Sequence, residues 1–166
     1  MRHLLLGAVL ALSGACMGAP TPATPAAVAS AKPVAGSCLG TAISQGVTPA
    51  WVDAAGAHAN PTGLPFAIDR SQTVAGFLRA YPFRAGHPGS PANKVLFVVR
   101  LPRGGFDLTI TAHPAGAATP VVKVTQPADS GPGEIYPSII DVPTAGCWVL
   151  DLAWSSHRAT LELPYA

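Results

Sequence analysis

The chain has 166 residues, of which 49% are hydrophobic and only 11% charged, with a net charge of +2. Soluble domains usually carry about 25% charged residues, so this surface is unusually neutral, and no basic or acidic field is present to grip nucleic acid or anionic lipid. Its 17 Gly and 18 Pro argue against long helices, and its low polarity argues against a disordered chain. The length fits one domain with short additions.

Met1-Arg2-His3 is a short positive start, followed by the apolar run Leu4 to Leu12 and the small residues Ser13-Gly14-Ala15 ahead of Cys16. Nine apolar residues cannot span a bilayer, which takes about 20. The pattern predicts a cleaved secretory signal peptide over 1–15. A lone Cys after small residues and an apolar run resembles a bacterial lipobox, although Ser13 stands where that family usually has Leu. The resemblance implies that Cys16 is the first mature residue and the lipid-attachment site, with its thiol diacylglycerol-modified and its amine often acylated. Two or three acyl chains anchor stably, at about 0.8 kcal/mol per buried methylene. The expected location is then the extracytoplasmic face of the cell membrane. The alternative is ordinary cleavage near Ala19 and a soluble secreted protein.

Residues 17–36 hold four Pro, many Ala and a single charge. Proline favours extended backbone at about 3.1 Å per residue, so 16–37 reads as a flexible linker. It would hold a domain of residues 38–166 away from a membrane.

Three cysteines remain to be placed: Cys16, Cys38 and Cys147. If Cys16 is lipidated, the other two form an even pair, and outside the cytoplasm a Cys38–Cys147 disulfide is expected. Closing a loop of that length stabilises by about 4–5 kcal/mol in the chain-entropy model. Two distant Cys with no nearby His do not suggest a metal site.

From residue 38 onward the chain reads as short strands. Thr41 to Val47 is a weak candidate. Phe66 to Ile68 followed by Ser71 to Ala80 reads as a strand pair or one short helical turn. Val95 to Leu101 is β-branched and aromatic, and Phe106 to Ala112 alternates with period two, placing Phe106, Leu108 and Ile110 on one face. With Pro102-Arg103-Gly104-Gly105 between them, these two runs read as a β-hairpin. Pro120 to Thr125 is a further strand. In Cys147 to Ala153 the apolar set Trp148, Leu150, Leu152 and Trp154 faces the core. Arg158 to Leu163 follows after a Ser155-Ser156-His157 turn. Turn signals at this spacing predict an all-β sandwich.

The segment Tyr136 to Trp148 (YPSIIDVPTAGCW) joins a strand to Val-Pro, small residues and Gly-Cys-Trp. It is similar to the C-terminal hairpin of bacterial exported proteins with an immunoglobulin-like β-sandwich, many of them lipoproteins without assigned function. Asn93-Lys94 ahead of an apolar strand also resembles that group. The resemblance implies fold and export and carries over no catalytic residue.

Chemistry-bearing patterns are sparse. His58, His87, His113 and His157 sit singly in turn-like contexts, without the paired spacing of metal ligands. There is no Gly-x-Ser-x-Gly elbow, and Asp141 and Asp151 read as a turn and a strand residue rather than paired catalytic acids. No cofactor or metal is expected. The segment Ala128 to Pro137 is a long Gly/Pro-rich loop carrying Asp129, Glu134 and Tyr136, and loops on a rigid β-scaffold are where binding concentrates. Tyr136 with Trp51, Tyr81 and Phe83 would line a small apolar groove, or else these rings serve core and edge packing. The expected function is a non-catalytic binding or structural module at the cell envelope, with an unknown envelope protein or ligand as partner. The alternatives are a carrier of a small apolar ligand, which needs an internal cavity, and a secreted enzyme or metal-binding protein.

Overall fold

A computed structural model describes residues 32–33, 38, 40–57, 63–100 and 102–166. The expected signal peptide, Cys16, most of the expected linker and His58 lie outside the described residues.

Among the described residues, ten strands form two antiparallel sheets. They are β1 (Lys32–Pro33), β2 (Ile43–Gln45), β3 (Phe66–Ile68), β4 (Val74–Leu78), β5 (Lys94–Val99), β6 (Leu108–Pro114), β7 (Val122–Gln126), β8 (Ile135–Ile139), β9 (Gly146–Trp154) and β10 (His157–Tyr165). A helical turn α1 (Ala50–Val52), widened over Asp53–Ala57, interrupts the series after β2. The first sheet runs β1-β2-β3-β4-β5-β8 and the second β10-β9-β6-β7. The molecule is therefore an all-β sandwich, as its turn spacing predicts. Lys32 and Pro33, inside the segment read as linker, already pair with Gln45 and Ser44 of β2.

Period-two alternation decides which side chains enter the core. Trp148, Leu150, Leu152 and Trp154 point inward from β9, opposite Val95, Phe97 and Val99 of β5, and all are essentially inaccessible. Each such side chain contributes about 1.5–3 kcal/mol through burial. The outward set of β9, Cys147, Val149, Asp151 and Ala153, is more accessible.

The first sheet has a second apolar layer on its outer face. Phe66, Ala75, Phe77 and Val98 pack there under Val52 and Ala55 of the helical turn. Strand β4 is thus buried on both faces, which removes the alternation that distinguishes a half-buried strand from a helical turn.

One expected element is overturned. Residues 95–101 and 106–112 do not form a hairpin. Strand β5 is hydrogen-bonded to β4 on one side and β8 on the other, which leaves no edge for β6. Strand β6 pairs with β7 and β9 in the opposite sheet. The Gly104-Gly105 turn (φ 60° and 81°) carries the chain across the sandwich. Its register differs from the expected one too: β6 starts at Leu108, and Phe106, expected on the face of Leu108 and Ile110, is 51% exposed.

Cys38 and Cys147 form a disulfide with Cα atoms 5.7 Å apart, a bond of the kind that persists in oxidising compartments outside the cytoplasm. Cys38 is buried while Cys147 lies on the outward side of β9, so the bond straps the N-terminal segment over the second sheet. Three residues on, the Thr41 hydroxyl accepts the Glu162 N–H at 2.9 Å, covering part of edge strand β10. Among the described residues no helix is long and apolar enough to cross a membrane.

Candidate functional site

The direction of β9 defines two poles. Cys147 stands at its start and Trp154 at its end, about 23 Å apart at 3.3 Å per residue. The disulfide marks the first pole. At the second pole three connections meet: residues 102–107 ahead of β6, 127–134 between β7 and β8, and the Ser155-Ser156 turn between β9 and β10.

Hydrogen bonds join these connections into one surface. Asp107 accepts the Ala128 N–H through Oδ1 at 3.0 Å, and the Tyr136 hydroxyl donates to the Phe106 carbonyl at 2.7 Å. Arg103 is the central pin. Its backbone N–H donates to Glu134 Oε2 at 2.6 Å, Nη1 to the Ile135 carbonyl at 2.9 Å and Nη2 to the Gly131 carbonyl at 2.7 Å. Its guanidinium also lies 5.4 Å from the centre of the Tyr136 ring, a favourable cation–π placement. From the other side, the Glu134 N–H donates to the Ala55 carbonyl at 3.1 Å. Gly133 is required for that approach: its φ is +57°, and a Cβ there would stand 2.8 Å from the Ala55 oxygen.

The three residues singled out in this loop therefore have different places. Asp129 is exposed on it. Glu134 is half-buried, and its carboxylate receives the Arg103 N–H. Tyr136 is fully buried in the core. Burial pushes its phenol above the ordinary range, the Arg103 guanidinium works against that shift, and the carboxylates of Glu134 and Asp107 add to it. The expected aromatic groove is not formed. Phe83 packs with Tyr81 and Tyr165 at the disulfide pole, with ring centres 6.3 and 5.4 Å apart, while Trp51 belongs to the outer layer of the first sheet. Phe83, Tyr81 and Tyr136 belong to the interior between the sheets and Trp51 to the outer layer, so these rings serve packing.

What the loop pole does contain is an open groove of about 540 Å³ between residues 106–107 and the β9–β10 turn. Phe106, Asp107, Trp154, Ser155, Ser156 and Arg158 line it. The Phe106 ring rests over the glycine turn, where a Cβ at Gly104 would be 3.5 Å away. Trp154 is 1% exposed, and its buried indole N–H has no hydrogen-bond partner. Arg158 is held at the rim by Nη1, which donates to the carbonyls of His157 at 2.7 Å and Ser155 at 3.3 Å. Sequence reasoning assigned Trp154 to the core and Phe106 to a strand face. The only signal for their second role is an aromatic residue directly after the Gly104-Gly105 turn.

A second groove of about 320 Å³ lies beside β10, lined in part by Gly40, Asp69, Arg70 and Glu162. Asp69 is 4% exposed, but its carboxylate is consumed by its own turn. It accepts the N–H groups of Ser71, Thr73 and Val74 at 3.0, 2.6 and 2.6 Å and both neighbouring hydroxyls. This is an Asx-type staple between β3 and β4.

The acids and histidines do not converge. His87 Nδ1 meets Asp141 Oδ2 at 3.1 Å, and Asp141 Oδ1 accepts from the buried Asn93 at 2.9 Å. Asn93 also exchanges two hydrogen bonds with the Arg84 backbone, which gives the Asn93-Lys94 signal its structural role. On the outer face of the second sheet, His113 Nε2 lies 3.5 Å from Asp151 Oδ2 and Thr160 donates to Asp151 Oδ1. Asp141 and Asp151 are thus on separate sites. Among the described residues no three His, Cys, Asp or Glu come together in a way that would hold a metal ion. In comparisons with known proteins, the chain matches no family model, and no curated protein or solved structure resembles it significantly.

Proposed function

We propose that the protein is an exported, lipid-anchored binding module of the cell envelope, without catalytic function, that presents its loop pole away from the membrane. The observation that carries this reading is the opposition of the two poles along β9. The chain arrives from its N-terminal side at the disulfide pole, where Cys38 is bonded to Cys147, and the groove with its three connections occupies the far end. An acyl anchor on Cys16 and a Pro/Ala-rich linker, extending at about 3.1 Å per residue, tether the domain from its disulfide pole and leave the groove at the far end free to face away from the membrane.

An immunoglobulin-like identity is supported by strand order. Strands β4-β5-β8 and β10-β9-β6-β7 correspond to the A-B-E and G-F-C-C′ arrangement of that architecture, with β1 to β3 as additions. In this correspondence the loop pole carries the B–C and F–G connections, the end that binds in variable domains. An interior filled by Trp148, Trp154, Tyr136 and Phe97 favours a surface binder over a carrier with an internal cavity.

The test is made in cells of the source type. The wild-type protein should fractionate with membranes and Cys16→Ala should be released or remain unprocessed. A photo-crosslinking residue at position 156 should capture an envelope component, whereas one at position 118, at the disulfide pole, should not. Membrane retention of Cys16→Ala, or equal capture from both positions, overturns the proposal.

A further inference from the structure

We infer that the groove between Phe106 and Arg158 takes a neutral carbohydrate, with a sugar ring stacked on Phe106. The inference rests on the loop pole being the binding end and deepens that reading by naming the ligand class. Phe106 is the one Phe, Tyr or Trp side chain among the described residues that is more than half exposed, at 51%, and it forms a wall of the groove. The face of an aromatic ring is electron-rich and attracts polarised C–H groups, of which a pyranose offers a flat array.

The polar groups around that ring suit hydroxyls better than ions. One carboxylate, Asp107, and one guanidinium, Arg158, flank the groove, so its formal charge is zero and neither an anion nor a cation gains from entering it. Both groups are oriented by the protein and keep capacity to spare. Asp107 uses Oδ1 for Ala128 and leaves Oδ2 as an acceptor; Arg158 uses Nη1 for backbone carbonyls and leaves Nη2 as a donor. Two exposed hydroxyls, Ser155 and Ser156, also line the groove. Trp154 forms the buried floor at the end of β9, with the His157 ring packed 5.4 Å from its own. An aromatic platform, one carboxylate, one guanidinium and two hydroxyls form a mixed donor–acceptor set that a polyhydroxylated neutral ring matches.

The purified full-length protein is titrated with chitotetraose, cellotetraose and maltotetraose, following tryptophan fluorescence and backbone amide shifts. At least one should saturate, with shifts at Phe106, Ala128 and 155–158. Phe106→Ala should weaken that sugar at least about tenfold, which corresponds to 1.4 kcal/mol. Phe106→Tyr should retain binding, and Val121→Ser, which changes an exposed apolar residue outside the groove, should leave it unchanged. Because Phe106 is half exposed, the melting temperature of Phe106→Ala should match wild type. The inference is overturned if none of the three sugars saturates, if Phe106→Ala binds as well as wild type, or if phosphate or a short fatty acid saturates the groove in their place. If position 156 still captures an envelope component after such a failure, the ligand class falls and the binding module stands. If the capture also fails, both fall.

Discussion

Arg103 and Glu134 are 31 positions apart in the chain, yet the Arg103 N–H donates to the Glu134 carboxylate at 2.6 Å while its guanidinium secures the loop on either side of Glu134. One residue in a Gly-rich crossover thereby sets the shape of the loop it faces. Arg103→Ala should cost about 1–3 kcal/mol, because two carbonyls lose charge-assisted partners and the stacked ring loses its cation. Chemical denaturation measures the loss, and amide hydrogen exchange should rise first in 127–134. Arg103→Lys should recover only part of it, since an ammonium cannot reach both carbonyls in a fork.

The Cys38–Cys147 bond closes a loop with a sequence separation of 109. Removing both sulfurs by Cys38→Ser and Cys147→Ser should lower stability by about 4–5 kcal/mol in the chain-entropy description. The measurement is urea unfolding against wild type with and without reductant. Wild type under reductant should approach the double variant, and the double variant should be indifferent to reductant.

Trp148 is fully buried and its indole N–H donates to the Thr144 carbonyl at 2.9 Å. Trp148→Ala should cost about 3–5 kcal/mol through lost burial and the cavity left behind. Ile139, 49% exposed on edge strand β8, is the contrast: Ile139→Ser should stay within about 0.5 kcal/mol. Paired thermal melts of the two variants check both expectations.

How much of this was legible beforehand depends on the range of the interaction involved. Trp148, Leu150, Leu152 and Trp154 were readable as core because alternation along a single strand records which face is dry. The β9–β10 hairpin was readable for the same reason, since its turn is local. The Cys38–Cys147 pairing followed from counting. By contrast, β4 hid its nature because both its faces are covered, one of them by a helical turn 20 or so residues away in the chain.

The 95–112 region shows the limit most clearly. The apolar run of β5 and the alternation of β6 are satisfied equally by two strands side by side in one sheet and by two strands facing each other across a core. Which one forms depends on whether β4 and β8 occupy the flanks of β5, and that is a long-range competition for hydrogen-bonding edges. The same crossover exposes Phe106 and brings it beside the end of β9. Strand content, core composition and the disulfide were thus written in short-range pattern and cysteine count. The poles, the Arg103 pin and the groove arose only when distant strands chose their partners, since backbone hydrogen-bond pairing between remote segments leaves no periodic trace in either one alone.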